Sequence, residues 1–373
     1  MEFSFSDEQQ VFRDMVRRFL EETSPTKEVR RLMDTEIGYD PAVWQRLSNE
    51  LGLPGLHIPE RFGGQGFGAV ELGIVAEEMG RALLCAPFFS SAVLGTFAAL
   101  NAASEAQREE LLPDLAAGKK RITLAVAERS GSWQAADITT AARSAPSGSV
   151  LNGEKWFVID GASADQLIVA AVDEHGIGLY LVDAAADGLN RIPLDTLDPT
   201  RKQARVVFSN VSAQRLGGAS DATAALDRTV DQATIVLASE MVGGADHLVR
   251  SAVDYAQMRM QFGRVVGSFQ AIKHKCADLV LEVELAKSAA YYAAEALAED
   301  DPDVPALASL AKAAASAACL RAATDCIQIH GGIGFTWEND THLYFKRAKA
   351  SEMMLGDPVY HRERMLKNVG GLA

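Results

Sequence analysis

The chain has 373 residues, long enough for two or three domains around a large buried core. Fifty acidic side chains against 36 basic ones give a formal net charge of -14, a field that repels a nucleic-acid backbone or an anionic membrane surface. Apolar residues make up 48% of the chain, yet charges interrupt each run before the roughly 18–20 apolar residues that a membrane span needs.

The opening stretch, MEFSFSDEQQ, has no basic region followed by an apolar one, so no secretory signal is read and a reducing cytoplasm is expected. Ser6, followed three positions later by Gln9, has the capping-box pattern of a helix start. Val11, Phe12, Met15, Phe19 and Leu20 then recur at the spacing of one buried helix face. Helical runs of the same style follow around 42–52, 68–82 and 104–117. IPERFGGQGFG (58–68) interrupts them with a proline and four glycines and reads as a loop.

Between about 120 and 215 the texture changes to RITLAVA, EKWFVI, QLIVAAV, GIGLYLVD and ARVVFS, short runs broken by Gly, Asp, Asn or Ser. With no crossover helices between them, they predict an antiparallel barrel or sandwich. Beyond 220, helices rich in alanine and leucine are predicted over 221–260, 268–298, 303–332 and 339–355, with a last one reaching about 368. Long helices with short links predict a bundle. The plan is therefore an N-terminal α-helical domain (1–118), a middle β domain (119–217) and a C-terminal helical bundle (218–373).

Cys85, Cys276, Cys319 and Cys326 form no CxxC pair, and buried free thiols are expected. The seven histidines show no HxH or HExxH spacing, so no metal site is predicted. His330 reads as a packing or cofactor-edge residue, and Trp337 and Tyr344 as core or interface aromatics.

Two stretches carry chemistry. In RMQFGRVVGSFQAIKHKCADL (259–279), Arg259 is a fixed cation suited to a pyrophosphate, Phe262 offers an aromatic face, and Gln270 can donate and accept toward an adenosine or ribitol. In DCIQIHGGIGFTWENDTHLYFKRAK (325–349), Gln328 precedes Gly331-Gly332, whose missing side chains let a backbone come close to a phosphate. On the residues alone, a solvent-facing Arg259 and a helix-capping glycine pair serve equally well. Together with IPERFGGQGFG, GEKWFVIDGASAD (153–165) and the α, β, α-bundle order, these motifs closely resemble the acyl-CoA dehydrogenase family over essentially the whole chain.

That resemblance implies bound FAD at Arg259, Phe262, Gln270, Gln328, Gly331 and Gly332, often shared across a subunit boundary. It implies a flavin wall from LAVAE (124–128) and KWFVID (155–160), with Val126, Ala127, Phe157 and Ile159 as cofactor-binding positions. Where the family often carries tyrosine, threonine and tryptophan, this chain has Leu124, Ala127 and Phe157, so the contacts expected there are mainly with backbone.

The family removes the α-hydrogen of an acyl thioester as a proton while the β-hydrogen leaves as a hydride, which demands a carboxylate. The two positions that supply it in the family are Leu355 and Ala233 here, and Thr234 stands where an arginine commonly helps to hold the thioester carrier. Glu240, seven residues after Ala233, projects from nearly the same helix face about 10 Å along. Asp357 sits two residues past Leu355, and these two carboxylates are the candidate bases. Asp231, two residues before Ala233, faces the other side. Each candidate also has a structural reading, Glu240 as a buried paired carboxylate and Asp357 as a turn residue.

The resemblance implies an FAD-dependent acyl-CoA dehydrogenase acting on an acyl-CoA, passing electrons to an electron-transfer flavoprotein, and assembled as a homodimer or tetramer. The absent base and arginine open an alternative, a non-catalytic structural subunit of a hetero-oligomer in which a related chain brings the glutamate. Another flavin reaction on the same scaffold is a third possibility, since a fold does not fix its chemistry.

Overall fold

The computed structural model describes residues 5–145 and 148–370. Helices α1 (Asp7–Thr23), α2 (Thr26–Met33), α3 (Pro41–Asn49) and α4 (Ala69–Arg81) open the chain. The capping box forms as expected: the Ser6 hydroxyl accepts from Gln9 N–H at 3.2 Å and the Gln9 side chain accepts from Ser6 N–H at 3.0 Å. The buried face of α1 is Val16, Phe19, Leu20 and Thr23, whereas Val11 is 66% exposed and Met15 39%. Phe19 and Leu20 are buried as the spacing predicts, while nearer the start of the helix the i, i+4 pair Val11/Met15 faces solvent and Val16 is buried instead. Within 58–68, a 3₁₀ turn at Glu60–Phe62 folds the loop back so tightly that a Cβ on Gly64 would lie 2.0 Å from the Ile58 carbonyl oxygen.

A π-helical stretch at Phe88–Gly95 runs into α5 (Thr96–Ala102), and α6 (Glu105–Ala116) follows. The sequence reading missed the first two, because Phe88–Gly95 is buried at every position and so shows no period. His57 packs on Phe97 with ring centroids 4.6 Å apart, and neither of its buried ring nitrogens has a hydrogen-bond partner. Burial pulls its pKa down to about 4. The unfolded chain therefore takes up a proton near pH 6.5 that the folded chain refuses until about 4, and stability falls as pH drops through that window. Between pH 7 and 5 the expected loss from this residue is about 2 kcal/mol, read as the difference in urea-unfolding free energy between wild type and His57→Leu.

The β strands are β1 (Ile122–Ala125), β2 (Ala141–Ala145), β3 (Gly148–Ile159), β4 (Gln166–Asp173), β5 (Gly176–Asp183), β6 (Leu189–Pro193) and β7 (Gln203–Arg215). β3 pairs antiparallel with β2 and β7, and β5 pairs with both β7 and β4. An Ala141–Val172 pair joins β2 to β4 and closes the sheet into a barrel. Its core includes Leu151, Val169, Tyr180, Val206 and Phe208. The antiparallel expectation needs correction at β4, which runs parallel to β1 from Ile122–Gln166 to Ala125–Val169 and parallel to β2 at Ala141–Val172. The β2–β3 pair provides the crossover that a helix usually makes, so the absence of helices did not exclude a parallel pair. β3 is bulged between Lys155 and Val158.

The last part holds α7 (Thr223–Met258), a hairpin of β8 (Met260–Gln261) and β9 (Arg264–Val265), then α8 (Gln270–Ala298), α9 (Val304–His330), α10 (Thr341–Met353) and α11 (Pro358–Asn368). These match the predicted helices closely, except that the end of the first is the hairpin. Glycines let α4 lie directly on α7: a Cβ on Gly80 would be 1.9 Å from the Glu240 carbonyl oxygen, and one on Gly243 would be 1.9 Å from that of Glu77. By length and composition α9 could cross a membrane, but 61% of its apolar window is buried within the protein.

Backbone contacts divide the chain into two compact units, Met1–Arg30 with Ala69–Leu84 and Thr234–Ala373, and Arg31–Gly68 with Cys85–Ala233. The N-terminal helices are shared out: α1 and α4 belong with the bundle, and α3, α5 and α6 with the strands. The boundaries at 118 and 217 follow the change of secondary-structure type, which is a different criterion.

Candidate functional site

In the bundle unit, the predicted cofactor residues gather where α7 ends, α8 begins and α9 ends. The Arg259 backbone is fixed, its N–H on Tyr255 O at 2.9 Å and its carbonyl on Val266 N–H at 2.7 Å, while its side chain is exposed. Phe262 and Gly263 both have positive φ (54° and 76°), the geometry of a two-residue hairpin turn, and they hold Phe262 90% exposed. Phe262 meets Phe269 edge-on at 6.3 Å, and the Arg264 guanidinium lies 3.9 Å over Phe269. Gln270 is the first residue of α8, exposed like Gln328 near the end of α9. Gly331 terminates α9 with φ 66° and ψ -139°, and a Cβ on either Gly331 or Gly332 would meet nothing within 4 Å. The two helix ends are tied together by His330, whose ring stacks on Tyr255 at 4.3 Å and whose Nδ1 donates to Cys326 O at 2.8 Å.

The result is a guanidinium, an aromatic face, two side-chain amides and an open glycine backbone around one end of the bundle. That donor set fits a dinucleotide pyrophosphate, which needs fixed cations and close backbone approach.

In the β unit, Val126, Ala127 and Ile159 are 1–2% exposed, so their side chains pack inward and only backbone is on offer. Ala127 O accepts from Trp156 N–H at 2.9 Å, and Ile159 O from the Thr123 hydroxyl at 2.7 Å. Phe157 differs. It lies in the β3 bulge with φ 55°, 39% exposed. A bulky residue in the left-handed region at a bulge is a strained device that turns a side chain out of its sheet.

The positions that the resemblance assigns to the base and to the carrier arginine are all buried. Ala233 and Thr234 are fully enclosed, as is Leu355, whose φ is 61° at the α10–α11 junction. Glu240 lies buried in the bundle, and its Oε1 accepts from Arg347 Nη1 at 2.9 Å. Asp357 caps α11, its Oδ1 accepting from Tyr360 N–H at 2.8 Å, and its other carboxylate oxygen has no hydrogen bond among the described residues.

Sequence reasoning missed two buried lysines. Lys155 in β3 and Lys312 in α9 are both fully enclosed. A lysine at a core-facing strand position, and a lone lysine in the run ALASLAKAAASAA, were the available signals. Burial pulls Lys312 down to about 7 and Lys155 to about 8, the latter opposed by the Glu128 carboxylate. Of the cysteines, Cys85, Cys319 and Cys326 are buried and Cys276 half-buried, all free; burial pushes the thiols of Cys319 and Cys326 up to about 12. Tyr344 is a core residue donating to Arg81 O at 2.6 Å, whereas Trp337 is 66% exposed beneath Lys346.

Comparison with known proteins finds three family matches in order: the N-terminal domain of acyl-CoA dehydrogenases over residues 6–119, the middle domain over 123–211 and the C-terminal domain over 223–370. Acyl-CoA dehydrogenase IpdE2 of Mycolicibacterium smegmatis is 34% identical over 355 residues, 95% of this chain and 96% of that protein. Among solved structures, the Tcur3481-Tcur3483 steroid ACAD is 28% identical with a TM-score of 0.89, covering 98% of both chains. The ChsE4-ChsE5 complex from Mycobacterium tuberculosis is 25% identical with a TM-score of 0.90 and full coverage of both chains.

Proposed function

Because the chain belongs to the acyl-CoA dehydrogenase family, we propose that it binds FAD and takes part in the α,β-dehydrogenation of an acyl-CoA thioester, with electrons passed on to an electron-transfer flavoprotein. The observation that carries this reading is the bundle-end cradle: an unshielded Arg259, exposed Gln270 and Gln328, and glycines with open space above them. Arg259 would hold the pyrophosphate, the two glutamines would bind the sugar and base portions, and Phe262 would stack. When bound, FAD supplies the acceptor for the hydride leaving the β-carbon. The exposure of Phe262, Phe335 and Trp337 on this end suits completion of the cradle by another subunit.

The chain's own part in the reaction is to take the α-proton as the double bond forms. Asp357 is the better placed of the two candidates, because one of its oxygens stays outside the cap bond, while Glu240 would first have to leave Arg347. A second reading has a specific observation behind it. Leu355 and Ala233 are buried and incapable of proton transfer, the buried Thr234 carries no charge where an arginine is expected, and two structural relatives bear the names of protein pairs. In that reading the chain is one half of a hetero-oligomer and a related subunit brings the carboxylate.

The test is purification of the chain alone and with a co-expressed related chain. A yellow protein that bleaches with an acyl-CoA, beginning with the steroid class named for the Tcur3481-Tcur3483 relative, supports dehydrogenation. Arg259→Ala should then lose FAD on gel filtration. Asp357→Asn should slow bleaching by roughly 10²–10⁴ if Asp357 is the base. Unchanged bleaching in Asp357→Asn, with activity only in the co-expressed assembly, moves the base to the other subunit. Absence of FAD from both preparations overturns the proposal.

A further inference from the structure

Beyond the end of β1, Val126, Ala127 and Glu128 are each tied to the same place in β3. The buried Lys155 ammonium donates to Val126 O at 2.8 Å and to Glu128 Oε1 at 3.0 Å, and the neighbouring Trp156 N–H donates to Ala127 O at 2.9 Å. Glu128 is held from its other side by Thr140 N–H at 2.7 Å and Thr139 N–H at 2.9 Å, and by both threonine hydroxyls. The carboxylate is accordingly kept ionised, its pKa at about 2: burial opposes this, and the threonine bonds and Lys155 overcome it.

A buried ammonium of this kind is costly unless fully paired. Here it holds Val126 and Glu128, on either side of the Ala127 carbonyl that the Trp156 N–H holds. Lys155 is also the last residue before the bulge that turns Phe157 outward. The N–H groups of Ala127 and Glu128 donate to nothing among the described residues. The strand end is thus rigid while two of its donors are unused, as expected for a backbone surface awaiting an acceptor-rich partner.

We propose that Lys155 is a positioning residue for the flavin: it locks residues 126–128 so that the Ala127 and Glu128 N–H groups are presented to the acceptor edge of the isoalloxazine, beside the outward-turned Phe157. This rests on the FAD reading above and specifies what the β unit contributes to it. Lys155 does not touch the reacting atoms; it acts through the strand end and through the charge balance of its pair with Glu128.

Lys155→Met and Glu128→Gln, each in whichever assembly carries FAD, test this by FAD affinity of the apoprotein and by the flavin reduction potential. Lys155→Met is expected to weaken FAD binding by roughly tenfold or more. It should also shift the potential negative, since the carboxylate left behind disfavours the electron-rich reduced ring. Glu128→Gln removes the negative partner, and its potential should not move negative. A strand end merely loosened by mutation would shift both variants the same way, so same-sign shifts overturn the proposal, as does wild-type affinity and potential in Lys155→Met. Should Lys155→Met fail to fold, Glu128→Gln decides alone: a positive shift supports the proposal and an unchanged potential overturns it. If wild type itself takes up no FAD, the cofactor reading falls and this inference with it, a failure recognised before any variant is read.

Discussion

Replacing Glu240 by alanine is expected to lower the stability of the bundle unit by about 3–5 kcal/mol, because it strips a buried guanidinium of a carboxylate partner. Arg347 is 7% exposed and donates to Glu240 Oε1 at 2.9 Å, so water cannot restore what the mutation removes. The Glu240 backbone is equally confined, since its carbonyl packs where Gly80 has no side chain. Glu240→Gln keeps the shape and one acceptor oxygen and should cost less than the alanine. Urea unfolding of the three proteins checks the order, and flavin bleaching by acyl-CoA checks the role. A glutamate that only holds Arg347 gives a Glu240→Gln variant that is less stable and bleaches at the wild-type rate. Equal stability with lost bleaching would make Glu240 the base after all.

Glu240 divides what is local in a sequence from what is not. Its helix face followed from counting along α7, because a helix has a fixed pitch. Its partner lies 107 positions away in α10, and nothing in one sequence records which arginine packs against which glutamate. The same division runs through the fold. The helices of the bundle and most strands were legible, since their periods and punctuation are local. The π-helical stretch was not, being buried on every side and so without alternation. The parallel β1–β4 pair was missed because register depends on tertiary closure. At the proposed cofactor cradle, residue types were readable from Arg259 to Gly332, and their exposure came only with the structure. Lys155 and Lys312 lay in plain view as charges at core positions, and their partners, mostly backbone carbonyls, have no signature in a sequence at all.

Lys312 and His361 should make the stability of the α10–α11 junction climb with pH. Lys312 uses all three of its N–H groups, on Ser316 Oγ at 3.2 Å, Glu352 O at 3.0 Å and Gly356 O at 3.1 Å. His361 Nε2 donates to Leu355 O at 3.1 Å, so three carbonyls around the positive-φ pair Leu355-Gly356 are pinned by two buried bases. Burial, with the nearby Lys312 charge, pulls His361 down to about 3, and burial alone opposes the Lys312 charge against Glu352 and Asp357. For Lys312 the unfolded chain keeps its proton to about 10.5 and the folded chain only to about 7. The cost of the buried charge is therefore full below pH 7 and fades as pH rises, giving wild type about 2 kcal/mol between pH 7 and 9 that Lys312→Met lacks. For His361 the unfolded chain protonates near 6.5 and the folded chain resists to about 3, so wild type loses about 2 kcal/mol between pH 7 and 5 relative to His361→Gln. Both variants also lose or alter hydrogen bonds, which displaces their curves at every pH. The slope against pH is what identifies the titrating group, and curves that run parallel to wild type would show that neither base changes charge on unfolding.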